Sequence, residues 1–77
     1  MRKLLMGEAR CQAFHARYYL LEGDASYGVR IELEEEAASV RDLSPSRRRV
    51  EALAQKLVRG MVTPVGLRDV VDDWLLE

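Results

Sequence analysis

The fold is decided by a change in the spacing of apolar residues between two stretches of the sequence. Residues 27–33 read YGVRIEL, in which every second side chain is apolar, as in a strand that buries one face. Residues 50–58 read VEALAQKLV, in which apolar side chains recur three and four residues apart, as along one side of a helix. The spacing therefore predicts strands before Ser44 and helices after it.

The turn between the first two strands sets how they pair. Residues 23–26 read GDAS, a composition typical of a tight turn. Pairing Glu22 with Tyr27 around this turn places Arg17 opposite Glu32, which is a favourable cross-strand pair. A loop of six residues places two arginines opposite each other instead. We therefore expect the shorter loop.

A third strand is predicted over residues 38–43, where the apolar alternation is weaker. A tight turn at Glu35-Glu36 aligns Ala38 with Leu33 and keeps the apolar side chains on one face. Together the three strands form an antiparallel meander within residues 13–43.

Two helices are predicted within residues 44–76. Ser44 is interpreted as the N-cap of the first helix because a proline follows it, and Thr63 opens the second helix with the same device. Gly60 is expected to end the first helix. The two helices form a hairpin whose apolar stripes cover one face of the sheet. The predicted fold is therefore α+β, with the order β-β-β-α-α.

The pattern accounts for one domain over residues 1–77, because a chain of 77 residues has room for a single core. Residues 1–10 show no clear period and are interpreted as either a flexible arm or a short extra strand through residues 3–6. The composition, 48% hydrophobic and 32% charged, is typical of a folded protein. A core this small leaves modest stability, which favours a partner or a second copy.

Charge is distributed in blocks of alternating sign, although the formal net charge is only −1. Residues 1–17 carry a net charge of +3 and residues 22–36 carry −5. Residues 41–59 carry +4 and residues 69–77 carry −4. Such blocks favour complementarity within the molecule or between subunits over binding to one highly charged polymer.

The cysteine and histidine content argues against several kinds of chemistry. Cys11 is the one cysteine, so neither an internal disulfide nor a cysteine zinc site is expected, and we predict no cofactor. His15 lies four residues beyond Cys11, but no third group orients it as a base. The longest apolar run has four residues, far short of a membrane span. We expect a soluble, cytoplasmic protein with no membrane contact.

Asp69, Asp72 and Asp73 share one face of the second predicted helix. They crowd negative charge towards the end of the helix, where its dipole disfavours it. The favoured interpretation is a solvated face, followed by ion pairing at an interface. A divalent cation site is the least favoured, because no loop wraps the ion, and no metal is predicted.

Arg47, Arg48 and Arg49 lie in the first turn of the first predicted helix, again where the dipole disfavours their charge. Solvation or pairing with nearby carboxylates is the favoured interpretation, and the alternatives are a protein partner or a phosphate group. The aspartates of the second helix are candidate partners, within the chain or across a dimer. Trp74 is interpreted as a core residue, with anchoring of an interface as the alternative.

Several stretches carry a resemblance to a known family. The matching residues lie at 18–21, 27–29 and 62–64 and, most specifically, in the C-terminal stretch from Thr63 to Leu75, which contains DVVDDWL. Over residues 14–76 the chain resembles small uncharacterised proteins of Gram-positive anaerobic bacteria, grouped as a domain of unknown function. The resemblance implies a recurrent β-then-α architecture and a free-standing bacterial protein. It implies no activity, cofactor or catalytic residue.

The sequence assembles no catalytic set, and its charge blocks suit contacts between proteins. We therefore predict a non-enzymatic interaction or regulatory protein that acts through protein–protein contacts and self-associates as a dimer, through a sheet edge or the helical layer. The alternative is a weak phosphate or nucleic-acid binder that uses Arg47, Arg48 and Arg49.

Overall fold

Four antiparallel strands and two helices make up the chain in the computed structural model, which describes residues 1–77. The strands are β1 (Arg2–Arg10), β2 (His15–Glu22), β3 (Tyr27–Leu33) and β4 (Glu36–Ser44), and they lie side by side in that order. The helices are α1 (Arg47–Arg59) and α2 (Leu67–Leu75), and a single 3-10 turn, Pro64–Gly66, leads into α2. The predicted α+β class is confirmed, but the predicted three strands are wrong, because the sheet has four.

The additional strand is β1, and a bulge hides it from the sequence pattern. Leu4 pairs with Leu20, but Gly7 rather than Met6 pairs with Tyr18, so the register shifts between Leu5 and Gly7. The extra residue breaks the alternation by which a strand is recognised. Residues 1–10 are therefore no flexible arm, and the extra strand is longer than the residues 3–6 that were expected.

The pairing of β2 with β3 agrees with the sequence analysis. Glu22 pairs with Tyr27 and Arg17 pairs with Glu32, as the short-loop register requires. This hairpin was predictable because its turn composition and its cross-strand charges favour the same register.

The pairing of β3 with β4 differs from the prediction by two residues. Ala38 pairs with Ile31 rather than Leu33, and Leu33 pairs with Glu36. The turn therefore consists of residues 34 and 35, and Glu34 adopts a φ of 51°, a conformation expected of glycine or asparagine. A shift of two residues leaves the same side chains facing the core.

α1 begins two residues later than predicted. The side chain of Ser46, not Ser44, accepts a hydrogen bond from the Arg49 backbone N–H at 3.4 Å and is the N-cap. Ser44 is the last residue of β4, pairs with Tyr27, and its Oγ accepts from the Ser46 N–H at 3.0 Å. Gly60 is the C-cap of α1, as expected.

Both helices cover the same face of the sheet. Their buried residues join the inward side chains of the strands in one core cluster, which includes Tyr18, Leu20, Val29, Ile31, Val50, Leu53, Ala54, Leu57, Leu67, Val71 and Trp74. α1 crosses the sheet in contact with all four strands. The Tyr18 hydroxyl donates to the Val62 carbonyl oxygen at 2.8 Å, so the one phenol of the core has a partner. The opposite face of the sheet carries no helix.

Candidate functional site on the open sheet face

The sheet face opposite the helices is called the open face here. Cross-strand neighbours on this face form three rows, of which the first ends at β3 and the other two reach β4. The rows are Lys3, Leu21 and Gly28; then Leu5, Tyr19, Arg30 and Ser39; then Glu8, Arg17, Glu32 and Ala37. Most of these side chains are polar or charged, so this face differs from the apolar face beneath the helices.

An ion-pair network occupies the centre of the open face. Glu32 Oε2 accepts hydrogen bonds from Lys3 Nζ at 2.5 Å and from Arg30 Nε at 2.9 Å. Hydrogen bonding to Lys3, and then to Arg30, lowers the pKa of Glu32 to about 2. The Lys3 ammonium group also lies 4.5 Å from the centroid of the Tyr19 ring. The network joins β1, β2 and β3 through side chains alone.

A hollow of about 330 Å³, called the basic hollow here, opens beside this network. Four basic side chains line it, Arg2, Lys3, Arg30 and Arg41, together with Ser39 and Leu21. No acidic residue is among the lining residues. Arg41 has no carboxylate oxygen within 4.0 Å, so its charge is unpaired within the chain.

Acidic side chains gather at the other end of the strands. The exposed Glu34 and Glu35 form the β3–β4 turn and the exposed Glu36 begins β4, whereas Arg41 lies towards the far end of β4. Glu8, near the end of β1 on this side, is also exposed. Arg41 and the Glu34–Glu36 segment therefore lie at opposite ends of the strands, while Arg10 and Arg17 also lie at the acidic end and Glu22 and Asp42 at the basic end.

Arg47, Arg48 and Arg49 do not converge on one site. Arg47 forms ion pairs with Glu22 at 3.1 Å and with Glu51 at 2.9 Å, and its hydrogen bond to Glu51 raises the pKa of Arg47. The Arg49 guanidinium lies 4.9 Å from the centroid of the Trp74 ring. Arg48 is exposed and forms no ion pair.

Asp69, Asp72 and Asp73 are exposed on α2. Asp72 lies 3.7 Å from Arg68, one turn earlier in the same helix. None of the three carboxylates reaches the arginine triplet of α1 within 4.0 Å, so the candidate pairing within the chain is not formed. Nowhere in the chain do three or more His, Cys, Asp or Glu side chains form a group that could hold a metal ion.

Trp74 is a core residue, as its place in the apolar stripe indicates. Its side chain is 7% exposed and belongs to the core cluster. Leu75 and Leu76, which follow it, are 55% and 85% exposed. The apolar surface at this end of the chain therefore comes from the two leucines, and not from the indole.

Cys11 and His15 stand apart from the basic hollow. Cys11 is exposed in the β1–β2 loop, and His15 begins β2. His15 Nε2 lies 2.7 Å from Glu8 Oε1, so a carboxylate already occupies one nitrogen of the ring.

The basic hollow is the feature that sequence reasoning missed. Lys3 belongs to the strand that the bulge concealed, and Arg41 lies in the irregular part of β4. One signal pointed towards it, because pairing Glu22 with Tyr27 also sets Tyr19 opposite Arg30, on the same side of the sheet as Arg17 and Glu32. Arg2, Lys3 and Arg41 come close to Arg30 only in the folded chain.

Comparison with known protein families identifies a family for this chain. A model of the family of unknown function DUF6514 matches residues 4–77, which include most of β1 and all later elements. The chain belongs to this family. The DUF6514 match begins near the start of the chain, whereas the sequence resemblance began at residue 14. The bacterial origin and the C-terminal stretch as a signature of the family stay predictions.

No curated protein and no solved structure matches this DUF6514 chain. Neither of its helices has the length and apolar character needed to cross a lipid bilayer.

Proposed function

We propose that this DUF6514 protein is a non-enzymatic interaction protein that self-associates through its open face. The placement of Arg41 and the Glu34–Glu36 segment at opposite ends of that face carries the proposal. Arg41 lies at one end without an ion-pair partner, and the exposed Glu34, Glu35 and Glu36 lie at the other. When two copies pair about a two-fold axis with their strands antiparallel, each basic end lies over the acidic end of the other copy.

Apolar side chains between the two charged ends support the same arrangement. Leu5 is 55% exposed on β1, and its neighbour across the ladder is the half-buried Tyr19. Leu21, one row away towards the basic hollow, is only 5% exposed, so the exposed apolar surface here comes from Leu5 and Tyr19. Removing apolar surface from water favours association. A second copy on the open face would cover this strip.

The sheet edges are less suited to pairing with a second copy. β1 has an extra residue between Leu5 and Gly7, and β4 has a register shift opposite Tyr27 and Val29 and a φ of 56° at Asp42. Bulges on edge strands disfavour the addition of another strand. We therefore place self-association on the open face and not on an edge.

The helical layer is also a poor site for a two-fold contact. A contact whose two-fold axis passes near Asp69, Asp72 and Asp73 brings the acidic faces of the two α2 helices together, and like charges at an interface oppose association. The open face has both signs of charge and avoids this cost.

The titratable groups of the open face suit binding better than catalysis. Lys3 and Arg30 are tied to Glu32, and His15 is tied to Glu8. These ion pairs hold the side chains in place and set the charge pattern of the surface. We therefore propose a binding role for this face and no reaction. The family resemblance and the exposed thiol of Cys11 lead us to propose a bacterial cytoplasm as the setting.

The alternative function, phosphate or nucleic-acid binding by Arg47, Arg48 and Arg49, has less support. Arg47 is paired with two carboxylates and Arg49 covers Trp74, which leaves Arg48 alone without a partner in the chain. A single exposed arginine does not build a phosphate site.

Sedimentation equilibrium over a range of protein and salt concentrations tests the proposal. We expect an association that weakens with salt, and that weakens further in Arg41→Glu and in Glu35→Lys. Arg48→Glu, which reverses an equally exposed and unpaired arginine outside the open face, is the control and should associate like the parent protein. A strict monomer at high micromolar concentration, or equal effects of Arg41→Glu and Arg48→Glu, contradicts the proposal.

A further inference from the structure

We propose that the basic hollow is a binding site for the phosphate group of a small molecule. The hollow collects basic side chains from three strands: Arg2 and Lys3 from β1, Arg30 from β3 and Arg41 from β4. This site is distinct from the arginine triplet of α1, and because Arg41 also faces the acidic end of the second copy in the proposed dimer, a phosphate bound here competes with self-association.

The charge around the hollow suits a phosphate dianion. Arg2 pairs with Glu22 at 3.2 Å, and Lys3 and Arg30 share Glu32. Four positive charges therefore face two carboxylates, and an excess of two positive charges remains. A phosphomonoester carries about −1.5 to −2 charges at neutral pH, so it balances that excess.

Glu32 holds two of the cations in place before a ligand arrives. Its Oε2 atom accepts from both Lys3 and Arg30, which fixes these long side chains at the wall of the hollow. The Tyr19 ring beneath the Lys3 ammonium restricts that side chain further. Because the side chains are already ordered, a ligand loses less free energy in fixing them.

A close approach of two strands brings the remaining donors onto the open face. A Cβ atom at Gly28 would lie 2.2 Å from the Val40 carbonyl oxygen and 2.8 Å from the Arg41 Cα. The β4 backbone thus passes tightly against Gly28, where a side chain does not fit. Arg41 and Ser39 line the same hollow, and a guanidinium with an adjacent hydroxyl supplies directed donors for phosphate oxygens.

Size and surroundings favour a small ligand over a nucleic acid. A volume of about 330 Å³ lies within the range of small-molecule sites. The phosphates of a long strand that continued along the open face would meet Glu8 and the exposed Glu34, Glu35 and Glu36. Repulsion there opposes a polymer but not a single phosphate group.

Two-dimensional NMR of the dilute, ¹⁵N-labelled protein, titrated with inorganic phosphate or with glycerol 3-phosphate, tests this site. Sodium chloride at matched ionic strength serves as the reference. We expect saturable shifts at residues 2, 3, 30, 39 and 41, and the tighter of the two ligands shows whether the site takes free phosphate or a phosphomonoester. Arg41→Gln should weaken binding roughly tenfold, as loss of a charge-assisted pair does.

Two further variants keep the test decisive. Ser39→Ala removes one neutral donor at an exposed position and should weaken binding by a smaller factor, about two- to fivefold. Arg48→Gln should leave binding unchanged. Shifts that match those of sodium chloride, or binding that survives Arg41→Gln and is lost in Arg48→Gln, overturn the proposal. The second result assigns the phosphate to the arginine triplet instead.

Discussion

The ammonium group of Lys3 on β1 and the carboxylate of Glu32 on β3 form an ion pair that bridges the intervening strand β2. The pair passes over the ring of Tyr19, and Arg30 donates to the same carboxylate oxygen. The ion pair links β1, which the sequence pattern did not reveal, to β3, whose apolar alternation is clear in the sequence. It also forms the wall of the basic hollow.

This carboxylate predicts a loss of stability in acid. The pKa of Glu32 is about 2 in the folded chain, below the ordinary value of 4.5. Its contribution is therefore fully present above pH 4.5 and is lost as the pH falls towards 2. Urea unfolding of Glu32→Gln should show a loss on the order of 1 kcal/mol at neutral pH and a smaller loss at pH 2.

Asp24→Asn is the control for that measurement, because Asp24 is exposed in the turn between β2 and β3 and forms no ion pair. Its unfolding free energy should follow the parent protein at every pH. Parallel pH profiles for the parent and Glu32→Gln would show that the network does not hold this carboxylate ionised.

A methyl group at residue 28 should destabilise the sheet. The Cβ of Gly28→Ala would meet the Val40 carbonyl oxygen at 2.2 Å, and that backbone moves only if β4 shifts. We expect a loss of about 1–3 kcal/mol in urea unfolding, as for other overpacked sites. Gly66→Ala is the control, since its nearest neighbour, Val62 Cγ1, is 3.7 Å away. Equal stability of the two variants would mean that β4 does not approach β3 this closely.

The hydroxyl of Tyr18 should contribute to stability, whereas that of Tyr19 should not. Tyr18 is fully buried and donates to the Val62 carbonyl oxygen at 2.8 Å, and the Tyr19 hydroxyl forms no hydrogen bond within the chain. Tyr18→Phe should lower the free energy of unfolding by about 1 kcal/mol, and Tyr19→Phe should leave it unchanged. A larger loss of unfolding free energy in Tyr19→Phe than in Tyr18→Phe would contradict this assignment of the buried hydroxyl to Tyr18.

Fluorescence of the single tryptophan should report on Arg49. The Arg49 guanidinium lies 4.9 Å from the centroid of the Trp74 ring, and the indole is 7% exposed. Arg49→Ala should shift the emission to longer wavelength and cost about 0.5–1 kcal/mol in stability. Arg48→Ala, one residue away, should change neither quantity. An unchanged spectrum in Arg49→Ala would exclude this contact.

The sequence revealed the elements whose local signals agree with one another. The β2–β3 hairpin has a turn composition and the Arg17–Glu32 pair that favour one register, and that register is observed. The stripes that contain Leu53 and Val71 predicted both helices, and both residues are buried in the core. In these cases neighbouring residues carry enough information to choose the structure.

The remaining features depend on backbone conformations that cannot be predicted from the residue types. The bulge before Gly7 conceals β1. Glu34 adopts a left-handed backbone conformation, which sets the turn before β4 at residues 34 and 35. Ser44 resembles an N-cap but is the end of a strand, because its ladder pairing with Tyr27 extends β4 to that residue. The basic hollow was missed for the same reason, since Lys3 and Arg41 join it through β1 and the irregular part of β4.

Mixing two charge-reversal variants tests the central claim, self-association through the open face, most directly. Alone, Arg41→Glu and Glu35→Lys each place like charges together at both ends of a two-fold dimer, and both should sediment as monomers. In an equimolar mixture each end pairs one acidic with one basic side chain, so we expect heterodimers that associate as the parent protein does. A mixture that sediments as a monomer, like its two components, would contradict the claim.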